Sequence, residues 1–545
     1  MPAFLWPLLC LLSLLSPRLP RVQAEYREQL TLRPLYAIDQ VLGNFHFAVD
    51  EHVATRDSDA DALFPPVLRQ ILERHDAEWL HLTFAIGRYA GWRYGSAQTL
   101  DAAAFANAPF GTRLQVALRG DAAIHQRWRG ITAELGGVFS ASLTQMDETV
   151  VTGLLPSSAP QELGAFPTAN EDTSLVFLHG SLAREELCTE NLTPWLKMLP
   201  CRAISGLGVL IDPINALSGE YLSLSLFAER SADGNWRLRQ HLTTVQSPSK
   251  HNKARWGLGS LFFAGEQPGA EVTACPLATE SRIVTKDASV STQRPPTNLK
   301  EQSVHLADPW FLDWKTAAEK AASSIDSIKM QEDVVSAHRF ATGHGQVRGG
   351  LAVQLKNNHP SCSMRVTYHD VIPWYLRLYF HTFRATVSGS EREAQTAIQA
   401  FDFVPAELRG RPNQLRLEAV LPANTSLTFS LQMEKAFLRL SEHPPDANRG
   451  FDIASGVATF AVLVDAAHGT SECSQDAQSA SFSTTLFTEP LLVPLPTPDF
   501  SMPYNVITMT STVVAFFVGT MLNALLRKAP RFKQMISQDG SSPAK

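Results

Sequence analysis

Residues 504–526 (YNVITMTSTVVAFFVGTMLNALL) carry no charged side chain. At 1.5 Å per residue, a helix of that length crosses ~30 Å of hydrocarbon with room for tilt. Arg527, Lys528, Arg531 and Lys533 follow at once, whereas Glu489 and Asp499 precede the stretch. Positive charge on the C-terminal flank places the tail 527–545 in the cytosol and the rest of the chain on the opposite side. The N-terminus agrees. Residues 4–15 form an apolar run of signal-peptide length, and Val22 and Ala24 offer small residues at the −3 and −1 positions of a cleavage site. The expectation is a type I membrane glycoprotein of the secretory pathway with a signal peptide over 1–24.

That compartment gives the cysteines meaning. Of the six, Cys10 leaves with the signal, and Cys188, Cys201, Cys275, Cys362 and Cys473 remain. An odd number in an oxidising lumen leaves one thiol free or bonded to another chain. Cys201 with Cys275, and Cys362 with Cys473, are the suggested internal pairs because each falls within one candidate domain; sequence alone leaves the connectivity open. Sequons at Asn191-Leu192-Thr193 and Asn424-Thr425-Ser426 make Asn191 and Asn424 candidate glycosylation sites. With 18% charged residues and a net charge of −6, the chain has no bulk basic character that would suit nucleic acid.

Period-two alternation recurs at Leu82, Phe84 and Ile86; Leu222, Leu224 and Leu226; Trp374, Leu376, Leu378 and Phe380; Leu415, Leu417, Ala419 and Leu421; and Leu427, Phe429 and Leu431. Such runs predict half-buried strands. Helical spacing is confined mainly to the N-terminal half, at Leu68, Ile71 and Leu72 after Pro65-Pro66, and at Ile124, Trp128, Ile131 and Leu135. The stretch 281–303 is polar, with a proline pair, and reads as a linker. The expected fold is β-rich α+β: a mixed α/β luminal domain over 25–280, a β-sandwich-like domain over 304–503, and a single C-terminal transmembrane helix over 504–526.

No catalytic constellation stands out, and no metal or cofactor is expected. The glycine-rich run 343–350 lacks the GK[ST] ending of a phosphate loop and reads as a hairpin. His359 and His369 flank Cys362, but a disulfide there would preclude thiolate chemistry. Neither HExxH nor GxSxG occurs.

Four strings are distinctive: Glu186-Leu187-Cys188-Thr189-Glu190-Asn191-Leu192-Thr193-Pro194-Trp195 with Leu199-Pro200-Cys201; Val371-Ile372-Pro373-Trp374-Tyr375-Leu376-Arg377-Leu378-Tyr379; Pro445-Asp446-Ala447-Asn448-Arg449-Gly450-Phe451; and the proline-rich run from Thr488-Glu489-Pro490 to Tyr504-Asn505-Val506-Ile507. In this order they closely resemble the class T subunit family of the glycosylphosphatidylinositol (GPI) transamidase. The likeness runs from the signal peptide through the membrane helix and weakens near 100–120, 285–305 and 465–480. The resemblance implies a non-catalytic subunit of an endoplasmic reticulum membrane complex that joins a proprotein's new carboxyl to the ethanolamine of a GPI lipid. The catalytic Cys–His pair would belong to a caspase-like partner subunit, with this chain stabilising the complex and helping to bind lipid. It also implies that Cys188 forms a disulfide to that subunit.

Pro494, Pro496, Pro498 and Pro503 would hold the chain extended as it meets the bilayer. Asp499, Ser501 and Asn505, with Asn448, are then candidate GPI-lipid contacts; the competing reading is that Asp499 and Asn505 only start the membrane helix. Thr508, Thr510, Ser511, Thr512, Gly519 and Asn523 suggest packing against other subunits' helices. Two alternatives differ in class. A lectin-like cargo receptor would carry a sorting motif in its tail, and a luminal thiol hydrolase would need a reduced Cys188 beside a histidine.

Overall fold

Alternating strands in the first half of the chain assemble side by side into one large sheet. The structure, a computed structural model, describes residues 22–35, 38–53, 63–95, 107–152, 175–247, 255–263, 270–285, 297–306, 311–312, 334–443, 449–463, 483–497 and 501–527, apart from the single positions 121, 203, 232 and 344. The large sheet is built from β1 (Val22–Leu35), β2 (Gln40–Val53), β3 (Ala77–Ile86), β4 (Gly111–Arg119), β5 (Val151–Thr152), β6 (Leu175–Leu182), β7 (Tyr221–Arg230), β8 (Trp236–Gln246), β11 (Ala278–Thr285) and β12 (Thr297–Asn298). Two short pairings lie outside it: β9 (Arg255–Trp256) with β14 (Phe311–Leu312), and β10 (Glu271–Val272) with β13 (Val304–His305). Its order is β12-β11-β1-β2-β8-β7-β3-β4-β6-β5, antiparallel except for β1 with β11. The segment 281–303, expected as a linker, therefore begins inside a strand. Ser281 is fully buried and donates to the Glu28 carboxylate at 2.6 Å, and Ile283 joins the core.

One face of this sheet carries the leucines read from the sequence. Leu82, Phe84, Leu222, Leu224 and Leu226 pack beneath the helices α1 (Pro66–Arg74), α2 (Ile124–Phe139) and α3 (Thr189–Lys197). Leu68, Ile71 and Leu72 of α1, and Trp128, Ile131 and Leu135 of α2, face inward as their spacing predicts.

The other face differs from expectation. Every residue of β7 from Tyr221 to Ala228 is buried, so this strand is covered on both sides. A row of polar side chains crosses that second face. His46 of β2 lies opposite His241 of β8, which lies opposite Ser225 of β7; His81 of β3 lies opposite Gln115 of β4, which lies opposite His179 of β6. The His46 and His241 rings stack at 4.4 Å, and His81 Nε2 is 2.9 Å from the Ser225 hydroxyl. Burial holds His81 down to about 3 and pushes His179 and His241 well below the usual imidazole range, with Arg113 adding repulsion at His81 and His179.

The second half forms a β-sandwich. One sheet has the order β15 (Val335–Thr342), β16 (Arg348–Asn357), β21 (Thr425–Lys435), β18 (Leu376–Val387). The other runs β19 (Ile398–Val404), β20 (Asn413–Leu421), β17 (Met364–Ile372), β23 (Val457–Val462), β24 (Ser483–Phe487). Val353, Leu355, Leu427 and Phe429 from the first meet Val366, Tyr368, Leu417 and Phe460 from the second in one core. The glycine-rich run at 343–350 makes the β15–β16 connection, where Gly343 takes φ +81°. A short pair, β22 (Phe451–Ile453) with β25 (Leu491–Val493), completes it.

Sheet and sandwich belong to one compact unit, formed by the described residues up to Ala436 and by Gly450–Leu495. Glu489 holds them together. Its carboxylate accepts hydrogen bonds from Arg88, at the end of β3, from His338 at 2.8 Å and from the Arg339 backbone N–H at 2.7 Å. Burial alone would raise its pKa, but these donors and the Arg88 charge hold it down to about 2. Arg339 is fully buried, paired with Asp370 at 2.6 Å, and also donates to the backbone carbonyls of Ile453, Ala454 and Glu489. Asn107 donating to the Thr485 carbonyl, and Arg113 lying over the Phe487 ring, extend the seam.

The described residues of the second unit are 437–443, 449, 496–497 and 501–527. Its helix α4 (Ser501–Leu526) includes a span, Tyr504–Leu526, long and apolar enough to cross a membrane. The helix begins three residues earlier than that span, so Pro503 lies in its first turn instead of prolonging the extended chain. A proline there costs no hydrogen bond, because the first N–H groups of a helix have no intrahelical acceptor. The hydroxyls of Thr508, Thr510, Ser511 and Thr512 each donate to a backbone carbonyl one turn back, which satisfies them inside their own helix.

Candidate functional site

Cys188 is the one cysteine among the described residues that is free, and it is exposed. Its position is set by a capping box at the start of α3. Leu187 is buried just before it, and Cys188 itself is extended, with φ −139° and ψ 180°. The Cys188 N–H donates to the Asn191 side-chain oxygen at 2.9 Å, and the thiol donates to the same oxygen at 3.1 Å. The other end of that amide donates to the Phe139 carbonyl, at the end of α2, at 2.7 Å. Asn191 thus fixes Cys188 to the sheet's helical layer while leaving the sulfur outward.

Two strands pin the helix from below. Trp195 donates its indole N–H to the Ser225 carbonyl of β7 at 3.1 Å, and Gln240 of β8 donates to the Trp195 carbonyl at 3.1 Å. Leu192, Trp195 and Leu196 are buried. The outer face of α3, with Thr189, Glu190, Thr193, Pro194 and Lys197, lines an open groove of about 420 Å³ together with Val138 and Ser140 of α2's end.

The two candidate glycosylation sites, Asn191 and Asn424, stand in different surroundings. The Asn191 side chain is buried, 1% exposed, and both ends of its amide are engaged. The bond from the Asn191 side-chain nitrogen to the Phe139 carbonyl uses the atom that a glycan would occupy. Asn424 is different: it is exposed in the β20–β21 turn, with φ +52°.

Cys201, which follows α3, is bonded to Cys275, with Cα atoms 5.6 Å apart. Near it the buried Glu28 carboxylate accepts from the backbone N–H groups of Cys275 and Leu207 and from Ser281. Burial raises its pKa, and those donors oppose the rise. Cys362 is also disulfide-bonded; Cys473 lies outside the described residues.

Of the lipid-contact candidates, Asn505 is exposed on α4, one helical turn beyond position 501. Ser501 starts that helix, whereas Asn448 and Asp499 lie outside the described residues.

Sequence reasoning missed Arg339 with Asp370 and the histidine row. Asp370 stands next to the Val371–Tyr379 string, yet only the tertiary fold brings it to Arg339.

A family model described as "Gpi16 subunit, GPI transamidase component" matches residues 9–259 and 248–542. The human protein "GPI-anchor transamidase component PIGT" is 30% identical over 92% of this chain and 90% of its own length. The mouse protein of the same name is also 30% identical, over 92% of this chain and 89% of its own. The Saccharomyces cerevisiae "GPI transamidase component GPI16" is 27% identical over 92% of this chain and 88% of its own. With a compact sheet-and-sandwich unit, an apolar C-terminal helix and this near end-to-end match, the chain belongs to the Gpi16 family of GPI transamidase components.

Proposed function

We propose that this chain is a non-catalytic subunit of a GPI transamidase of the endoplasmic reticulum membrane. Its role is to hold the complex together and to contribute to the GPI-lipid site. The sheet and sandwich lie in the lumen, α4 spans the bilayer, and Cys188 forms a disulfide to the caspase-like catalytic subunit. The observation that carries this reading is Cys188, an exposed free thiol on a rigid helix start beside an open groove, while Cys201, Cys275 and Cys362 are bonded. A disulfide placed there raises the effective concentration of two surfaces that already associate. Asn505, exposed at the start of α4, is a candidate lipid contact there.

The test is Cys188→Ser expressed in cells lacking the wild-type chain. The reducible heterodimer band on non-reducing electrophoresis should vanish, while the subunits still co-purify in mild detergent and GPI transfer falls without stopping. A heterodimer band that persists in the variant refutes the assignment of Cys188.

A further inference from the structure

Where the large sheet meets the sandwich, several basic side chains come together. On the sheet, Leu114 and Val116 of β4 and Leu178 of β6 belong to the core, so Arg113 and His179 point to the second face. The Arg113 Nε–H donates to His179 Nε2 at 3.0 Å, and the guanidinium lies over the Phe487 ring of β24, across the seam, at 5.4 Å. On the sandwich, Tyr368 of β17 and Leu415 and Leu417 of β20 belong to the core, so the cross-strand partners His369 and Arg416 point away from it. The row of His369 continues through Val457 of β23 to Phe487. Arg113, His179 and His369 therefore share one part of the seam.

The acids near this group are engaged elsewhere. Asp370 pairs with Arg339, Glu489 with Arg88 and His338, and Glu418 with Arg416, while the exposed Asp402 lies opposite Arg416 on β19. Among the described residues Arg113 has no ion pair, and its one hydrogen bond leaves both Nη groups without an acceptor. Burial lowers Arg113 to about 10, which keeps it charged at neutral pH; burial and then the Arg113 and Arg416 charges hold His369 down to about 3. His369 Nε2 is buried and has no hydrogen-bond partner among the described residues. A half-buried guanidinium without a counter-ion is costly until an anion shares its charge. Its free Nη fork matches two oxygens of a phosphate or carboxylate, and His369 in its Nε2–H tautomer adds a third donor.

We propose that Arg113 and His369 bind one oxyanion, a phosphate or carboxylate group, in the seam between the large sheet and the sandwich. His179 is a positioning residue, which orients the guanidinium through its Nε. Because Arg113 belongs to the sheet and His369 to the sandwich, the bound anion ties the two together.

The full-length chain in mild detergent, at constant ionic strength and free of other oxyanions, is dialysed against radiolabelled inorganic phosphate and, separately, radiolabelled acetate. Saturable binding of one anion per chain is expected, and the anion that binds more tightly identifies the group as phosphate or carboxylate. Arg113→Gln should weaken that binding about tenfold or more, because a charge-assisted contact is lost, and His369→Phe about threefold or more. If Arg113→Gln does not fold, His369→Phe decides alone. No saturable binding of either anion overturns the proposal. So does wild-type affinity in folded Arg113→Gln or in His369→Phe, which would place the anion elsewhere on the chain.

Discussion

Replacing Asn191 with alanine removes three hydrogen bonds at the start of α3. The cap on the Cys188 N–H is worth about 1 kcal/mol, and the Phe139 carbonyl, left buried without its partner, costs about 1–3 kcal/mol more. The helix start should therefore lose about 2–4 kcal/mol, or about 30- to 700-fold in local opening at 1.4 kcal/mol per factor of ten. Amide hydrogen exchange over 189–197 in the detergent-solubilised chain measures this directly. A change of less than about threefold would show that Asn191 does not anchor the helix. The companion variant is Thr193→Ala, which destroys the sequon but leaves every bond of Asn191 in place. It should change neither exchange nor electrophoretic mobility, and a mobility shift would mean that Asn191 carries a glycan and that its packing is misdescribed.

Asp370→Asn should cost about 3–5 kcal/mol in denaturant unfolding, because Arg339 stays buried and charged without its counter-ion; a loss under about 1 kcal/mol contradicts this. Acid should weaken the chain below about pH 6.5. His81, His179, His241 and His369 stay neutral when folded but take up protons when unfolded, so stability falls as pH drops, by roughly 1 kcal/mol per histidine over the first pH unit. Below about pH 4.5 the depressed Glu489 adds to the loss as the pH nears about 2; the raised Glu28 and Glu229 take up protons in the folded chain above pH 4.5 and partly offset the histidine loss there. Unfolding midpoints that stay flat from pH 7 to 5.5 would contradict the neutral histidines. Asn505→Ala should leave the complex assembled yet reduce GPI attachment, read as uncleaved precursor; lost assembly or normal transfer refutes its lipid role.

Local periodicity carried much of the fold. Leu415 to Leu421, and Leu427 to Phe429 and Leu431, lie in strands because alternate burial leaves its mark on neighbouring residues. The same rule failed where burial is two-sided. Leu222, Leu224 and Leu226 predicted a half-buried strand, yet Ser223 and Ser225 between them are buried as well, because the second face of the sheet is covered. The burial of Asn191 was out of sight for a related reason. A sequon is three residues long, but the carbonyl that buries this one belongs to Phe139, 52 positions away. Arg339 and Asp370, 31 apart, give no local sign of pairing. Cys188 was legible from an odd cysteine count and a family string, and the rigid capping box beneath it was not. Pro503 was taken for extended chain because proline suits both an extended segment and the first turn of a helix.

The account turns on what Cys188 is bonded to. Purifying the chain in mild detergent with free thiols blocked, digesting it without reduction and sequencing the peptide joined to Cys188 answers this directly. The expected result is a peptide from the caspase-like subunit of the transamidase. A blocked, unpaired Cys188, or one joined to a cysteine of its own chain, would contradict the account.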